Sequence, residues 1–178
     1  MLEVLYHPLC PYSRVVRVAL AEKNLAFKLQ EEKYWQRRDE FLAINPEGHL
    51  PVLLTDNGKT VCGAYAITEF LEENYDARGL IGRQALQRAE TRRLISWFGN
   101  KFYAEVTKNL TWEKYFKKLE ERGYPDSKAL SAGRNNIFYH LDYIAYLTQN
   151  RRFLNSDEFT LADVFAACQL SVLDYFGD

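Results

Sequence analysis

Leu2-Glu3-Val4-Leu5-Tyr6, His7-Pro8-Leu9 and Cys10-Pro11-Tyr12-Ser13 together decide the fold of the first half of this chain. The first stretch is a short apolar-rich run of strand type. The last opens a helical pattern whose apolar positions are Val15, Val16, Val18, Ala19 and Leu20, with Arg14, Arg17 and Lys23 between them. A cysteine at such a strand-to-helix junction faces the unpaired N–H groups and the positive dipole end of the helix. Those groups stabilise thiolate over thiol. Ser13 stands where a disulfide oxidoreductase carries its resolving cysteine, so this site cannot close a Cys-x-x-Cys disulfide. One thiol is left to bind another thiol or to form a mixed disulfide with it.

Outward from this junction, short apolar runs keep alternating with helical stretches. Residues 2–6 are predicted as a strand, 12–23 as a helix and 26–30 as a second strand. Residues 34–44 read as a short irregular helix, stopped by Asn45-Pro46-Glu47-Gly48 because a residue before proline avoids helical angles. Residues 52–54 and 59–62 are strands joined by the Asp56-Asn57-Gly58 turn. Residues 64–75 are helical, with Ile67, Phe70 and Leu71 on one face. The predicted organisation is an α/β domain over 1–76, a linker over 77–83 and an all-helical domain over 84–178. Residues 84–120 are long enough for more than one helix, and Gly123-Tyr124-Pro125-Asp126-Ser127 interrupts them. A helix over 128–149 follows. Thr160-Leu161-Ala162-Asp163 then has the form of a capping box with Asp in place of Glu. The helix it opens places Leu161, Val164, Phe165, Cys168 and Val172 on one side.

Composition narrows the function classes. The 178 residues carry 47% hydrophobic and 26% charged residues with a formal net charge of −1. That balance suits a globular protein and gives no electrostatic reason to bind nucleic acid or an anionic membrane surface. No apolar run reaches the length of about 18 residues that a membrane-spanning helix needs. The N-terminus lacks the basic and apolar segments of a signal peptide. Three cysteines, Cys10, Cys62 and Cys168, are too few and too scattered for a disulfide framework, so a reducing cytoplasm is expected. His7, His49 and His140 lack ligand-like spacing, and no metal is expected. The 15% aromatic content, with 12 Tyr and 11 Phe, implies large contact areas.

Taken together, Cys10-Pro11-Tyr12-Ser13 with Arg17, Asn45-Pro46-Glu47-Gly48-His49-Leu50-Pro51-Val52-Leu53, Ala66-Ile67 with Glu69-Phe70-Leu71, and the Thr160–Asp163 box resemble the glutathione S-transferase superfamily. The resemblance implies a thioredoxin-like N-terminal domain and an all-α C-terminal domain. It further implies a homodimer, with glutathione in the cleft between the domains. Pro51 matches the family's cis-proline, which would turn the Leu50 backbone outward to pair with an extended thiol peptide. Cys10, with Ser13, would hold the sulfur, and Tyr12, His49, Leu50 and Pro51 would line the glutathione site. The family's Glu or Gln followed by Ser, which hold the γ-glutamyl carboxylate, is replaced by Gly63 and Ala64. Gly63 could still offer a backbone N–H at a helix start. Losing two polar contacts at about 1–1.5 kcal/mol each weakens binding roughly tenfold to a hundredfold or more.

The stretches 31–42, 61–64, 136–141 and 174–178 carry a narrower resemblance, to the FzlA-like bacterial subgroup of this superfamily, which binds FtsZ filaments during cell division. It implies an end at Asp178 that is shortened relative to the subgroup. Two functions are therefore expected. The first is a glutathione S-transferase-like protein that binds glutathione and transfers its thiol to an electrophilic or disulfide substrate. The second is a non-catalytic scaffold for FtsZ filaments.

Each candidate residue also has a plainer reading. Cys10 could be a small buried residue at a strand end, and Ser13 a first-turn residue. Tyr6 reads as sheet packing, and Cys62 and Cys168 as core. His7, in a loop, reads as solvated, with thiol activation as the alternative. Trp35, beside Arg37 and Arg38, is either tucked onto its domain or a partner contact. Arg88, Arg92 and Arg93 form a solvated face or dimer rim, or else a patch for an acidic segment. The aromatics between Trp97 and Tyr124 read mainly as core, with a second-substrate pocket lined by Trp112, Tyr115 and Phe116 as the alternative.

Overall fold

The computed structural model describes residues 1–75 and 77–177. The expected domain ends at residues 76 and 178 lie outside the described residues. The chain divides into two compact units, Met1–Leu80 and Ile81–Asp178.

In the first unit, β1 (Leu2–Tyr6) buries Leu2, Val4 and Leu5. Helix α1 (Pro11–Glu22) starts with Pro at a position where no intrahelical N–H is needed. Its Val15, Val16, Ala19 and Leu20 are buried. The helix serves as the crossover to β2 (Phe27–Glu31), which pairs parallel with β1, an arrangement that no tight turn can make. β3 (Val52–Leu54) runs antiparallel to β1, and β4 (Thr60–Cys62) antiparallel to β3, giving the strand order β2-β1-β3-β4. Gly58, at φ +76°, supplies the left-handed residue of the β3–β4 turn.

Residues 34–44 differ from the single irregular helix expected. They form a 3-10 turn (Tyr34–Gln36) and then α2 (Asp39–Ile44). Arg37 adopts left-handed angles between them and breaks the helical path. Only Phe41 of α2 is buried, so little apolar surface was available to hold a longer helix. Phe41 joins Leu5, Leu50 and Val52 in a core cluster against which Cys10, Tyr34, Ile44, Leu54 and Cys62 pack.

Helix α3 (Ala64–Asn74) buries Ile67 and Leu71. Glu72 of α3 pairs with Lys23 at 2.8 Å, and both side chains are almost wholly buried. The remaining bonding capacity of the pair goes to the following segment. Lys23 Nζ donates to the Arg78 carbonyl at 3.1 Å, and the Leu80 N–H donates to the Glu72 carboxylate at 3.0 Å.

The second unit is helical. Helix α4 (Ala85–Ser96) continues into a π-helical stretch (Trp97–Phe116) and a final turn, α5 (Lys117–Leu119). Where more than one helix was expected, the chain keeps one path and changes its hydrogen-bond pattern. The fully buried Phe98, Phe102, Val106 and Leu110 recur every fourth residue, a spacing wider than the α-helical 3.6. Helix α6 (Ser127–Thr148) is capped by Asp126, whose side chain accepts the Lys128 N–H at 2.8 Å. A Cβ on Gly133 would sit 2.8 Å from Leu110 Cγ, so glycine permits the close approach of α6 to the π-helical stretch. Helix α7 (Leu161–Tyr175) has the expected capping box, with the Thr160 N–H donating to Asp163 Oδ2 at 2.8 Å. Its buried face includes Leu161, Val164, Phe165, Cys168 and Val172, as the spacing predicted.

Candidate thiol site

The loop from β1 to α1 brings Cys10 to the N-cap of α1, with extended backbone angles, φ −84° and ψ 114°. Its carbonyl accepts the Arg14 N–H at 3.1 Å, and its own N–H donates to the His7 carbonyl at 3.1 Å. The Leu50–Pro51 peptide is cis. Cys10 Sγ donates to the Leu50 carbonyl at 3.8 Å. The thiol and the backbone of the Asn45–Val52 segment therefore meet.

The electrostatics correct one expectation. Hydrogen bonds from Ser13 and the main chain of Tyr12, together with the charge of Arg14, favour thiolate. Burial outweighs them and pushes the Cys10 thiol above its ordinary range. The helix start is present, but the sulfur lies against the apolar core cluster, where a charge is poorly solvated.

Ser13 is fully buried, and its Oγ accepts the His7 N–H at 3.4 Å. It thus fastens the loop as well as facing the sulfur. Tyr12, half-buried, has its ring 6.4 Å from that of Tyr65, the second residue of α3. Tyr65 was not singled out in the sequence. Burial pushes its phenol up to about 12, so at neutral pH it remains an O–H donor beside Tyr12. The only hint in the sequence was its place directly after Ala64 at a helix start.

Asn45 organises the turn before Leu50. Its side chain donates to the His49 carbonyl at 2.8 Å and accepts the Glu47 N–H at 3.3 Å. His49 is exposed, with its ring 6.3 Å from Tyr34. Gly63 takes φ +84°, and its N–H donates to the Pro51 carbonyl at 2.9 Å. The expected anion donor at Gly63 is therefore spent on extending the β3–β4 ladder, and Ala64 is buried without a polar group.

His7 is buried, not solvated as its loop position suggested. Its Nδ1 accepts the Leu9 N–H at 3.2 Å. Its ring meets Trp35 edge-on, with centroids 5.3 Å apart. Trp35 is thus half-buried, with one side against its own unit. Cys62 is half-buried and donates to the Ile44 carbonyl at 3.9 Å, while Cys168 is buried.

In the second unit Arg92 and Arg93 are exposed on α4. Arg93 is held by Glu90 through paired N–H donors at 2.7 and 2.8 Å and donates to Tyr143 Oη at 2.7 Å. Beneath this face Trp97 Nε1 donates to Nδ1 of the fully buried His140 at 3.1 Å, and His140 Nε2 lies 3.0 Å from Glu105. Among the described residues no group of His, Cys, Asp and Glu could hold a metal ion, and no helix is long and apolar enough to cross a membrane.

The model of the glutathione S-transferase N-terminal domain matches residues 5–79. FtsZ-localized protein A of Caulobacter vibrioides is 44% identical over 178 residues, covering 98% of this chain and 78% of that protein. A solved glutathione S-transferase from Rhodospirillum rubrum F11 superposes with a TM-score of 0.96 at 48% identity, covering 100% of this chain and 80% of its own. The structure of FzlA from C. crescentus gives 0.94 at 43% identity, covering 99% and 80%.

Proposed function

Because the chain belongs to the glutathione S-transferase superfamily, we propose that it uses this scaffold to bind a protein partner, FtsZ filaments, in the bacterial cytoplasm during cell division. The relative named FtsZ-localized protein A supports the choice of partner, since its likeness runs along nearly the whole chain. The observation that carries the reading is the Gly63–Pro51 hydrogen bond of 2.9 Å. It consumes the donor that the sequence left at the γ-glutamyl end of the groove, while the scaffold around it stays intact. The residues present suit the thiol half of glutathione and not its γ-glutamyl end.

Partner contact falls on the arginine face of α4, Arg92 and Arg93, and on the half-exposed Trp35. Aromatic and arginine side chains are the usual anchors of such contacts. The active form is a homodimer, as the superfamily resemblance implies.

A second reading, weak glutathione binding with thiol transfer, is favoured by one observation. The Tyr12 and Ser13 main chain and the Ser13 hydroxyl already point at Cys10 Sγ, so these groups would steady a thiolate there. Leu50 would offer its main chain to an extended thiol peptide.

Calorimetry with glutathione, run beside co-sedimentation with FtsZ filaments, separates the two. Co-sedimentation that weakens in Arg92→Ala/Arg93→Ala, with no heat at millimolar glutathione, is the expected result. Submillimolar glutathione affinity that weakens in Cys10→Ala, with no co-sedimentation, would overturn the binding reading in favour of the second.

A further inference from the structure

We infer that His7 is a positioning residue for Cys10, holding the Pro8-Leu9-Cys10 loop closed through its Nδ1. It concerns the reach of the Cys10 thiol alone and holds for either reading of the site. Three bonds converge on this one residue: the Leu9 N–H donates to His7 Nδ1 at 3.2 Å, the Cys10 N–H to the His7 carbonyl at 3.1 Å, and the His7 N–H to Ser13 Oγ at 3.4 Å. Two of these use the backbone of His7 and survive substitution of its side chain. The Nδ1 bond depends on the side chain, and it holds the residue that immediately precedes Cys10.

Because Nδ1 accepts, the neutral ring carries its proton on Nε2. With Nδ1 committed to the Leu9 N–H, His7 acts on the sulfur through the loop's geometry and not as a base on the thiol. Trp35 closes over the ring from the 3-10 turn, and Arg14 Nε donates to the Pro8 carbonyl at 2.8 Å from α1. The loop is clamped from both sides with the imidazole at its centre. While it is closed, Cys10 Sγ stays on the Leu50 carbonyl and against the apolar cluster.

The substitutions that test this differ only in where they place an acceptor. The shorter amide of His7→Asn carries its oxygen at the position of Nδ1, whereas the longer amide of His7→Gln carries it at the position of Nε2. Alkylation of Cys10 by iodoacetamide, followed by mass spectrometry, reads the result, with Cys62 of the same unit as an internal control. His7→Ala is expected to speed Cys10 alkylation about tenfold, the equivalent of one lost hydrogen bond, with Cys62 unchanged. His7→Asn restores the wild-type rate and His7→Gln does not. An unchanged Cys10 rate in His7→Ala, a parallel rise at Cys62, or equal rates in the Asn and Gln variants overturns the inference. Should His7→Ala fail to fold, imidazole 15N shifts of the wild type still decide: a protonated Nδ1 at neutral pH overturns it, and a protonated Nε2 with unprotonated Nδ1 supports it. None of these readouts uses glutathione or FtsZ, so a failure of either ligand to bind sinks only the reading of the groove.

Discussion

The Cys10 thiol donates to the Leu50 carbonyl across 3.8 Å, joining two segments forty residues apart. The same carbonyl is the acceptor that an extended thiol peptide would seek. On the thiol-transfer reading, the site's own sulfur already shares the carbonyl that the peptide would use. A thiol can make this bond and a thiolate cannot, which works in the same direction as burial.

The first expectation concerns alkylation against pH. The rate at Cys10 should turn upward at higher pH than for a cysteine in an unstructured peptide, because burial raises its folded-state value. Stability follows in sign. The folded form keeps its proton longer than the unfolded form, so the Cys10 contribution is complete below the unfolded value of about 8.5 and is lost as pH rises through the higher folded value. Cys10→Ala should flatten that alkaline loss in urea titrations. A Cys10 inflection below that of the peptide would refute the account.

Removing one partner of the buried Lys23–Glu72 pair leaves an uncompensated charge and, in this case, also orphans the Leu80 N–H. Glu72→Ala should cost about 3–5 kcal/mol by urea unfolding. The double change Lys23→Met/Glu72→Leu should recover much of that loss, since replacing a whole buried pair with apolar groups is often near neutral. A loss under about 1 kcal/mol in the single variant would show that the pair is solvated.

His140 is fully buried, with the Trp97 indole N–H on Nδ1 and Glu105 at Nε2. Burial lowers its value below the ordinary 6.5, against the opposing pull of Glu105; Lys101 adds to the lowering. Below about 6.5 the unfolded chain takes up a proton that the folded one resists, so stability falls with acid until the lower folded value is passed. His7 is lowered by burial too, against the opposing charge of Glu31, and adds in the same direction. Urea midpoints should therefore drop between pH 7 and pH 5.5. His140→Gln should lower the midpoint at pH 7 by about 1–3 kcal/mol equivalent while flattening the pH slope. An unaltered slope would rule out His140 as a source of the acid loss.

Much of the fold was legible because its signals are local. Alternation of apolar runs with helical spacing gave the β1-α1-β2 unit. The Asp56-Asn57-Gly58 turn gave the β3–β4 hairpin, and Thr160 with Asp163 gave the start of α7. Each depends on residues within a few positions of one another. The break at Arg37 and the π-helical stretch were not legible. The first turns on one residue's left-handed angles, and the second on how the buried faces of neighbouring helices meet.

The candidate site divides in the same way. From the sequence alone came the chemical inventory: one cysteine at a helix start, a serine in place of a resolving cysteine, and a glycine and alanine where polar side chains were expected. Tertiary structure decided what that inventory does. It set the partly buried Cys10 sulfur against Leu50, turned the Gly63 N–H onto Pro51, and enclosed His7 beneath Trp35. Helix-end electrostatics follow from local order, whereas desolvation and the commitment of a donor depend on which distant atoms arrive beside them. At Cys10 the distant atoms prevailed.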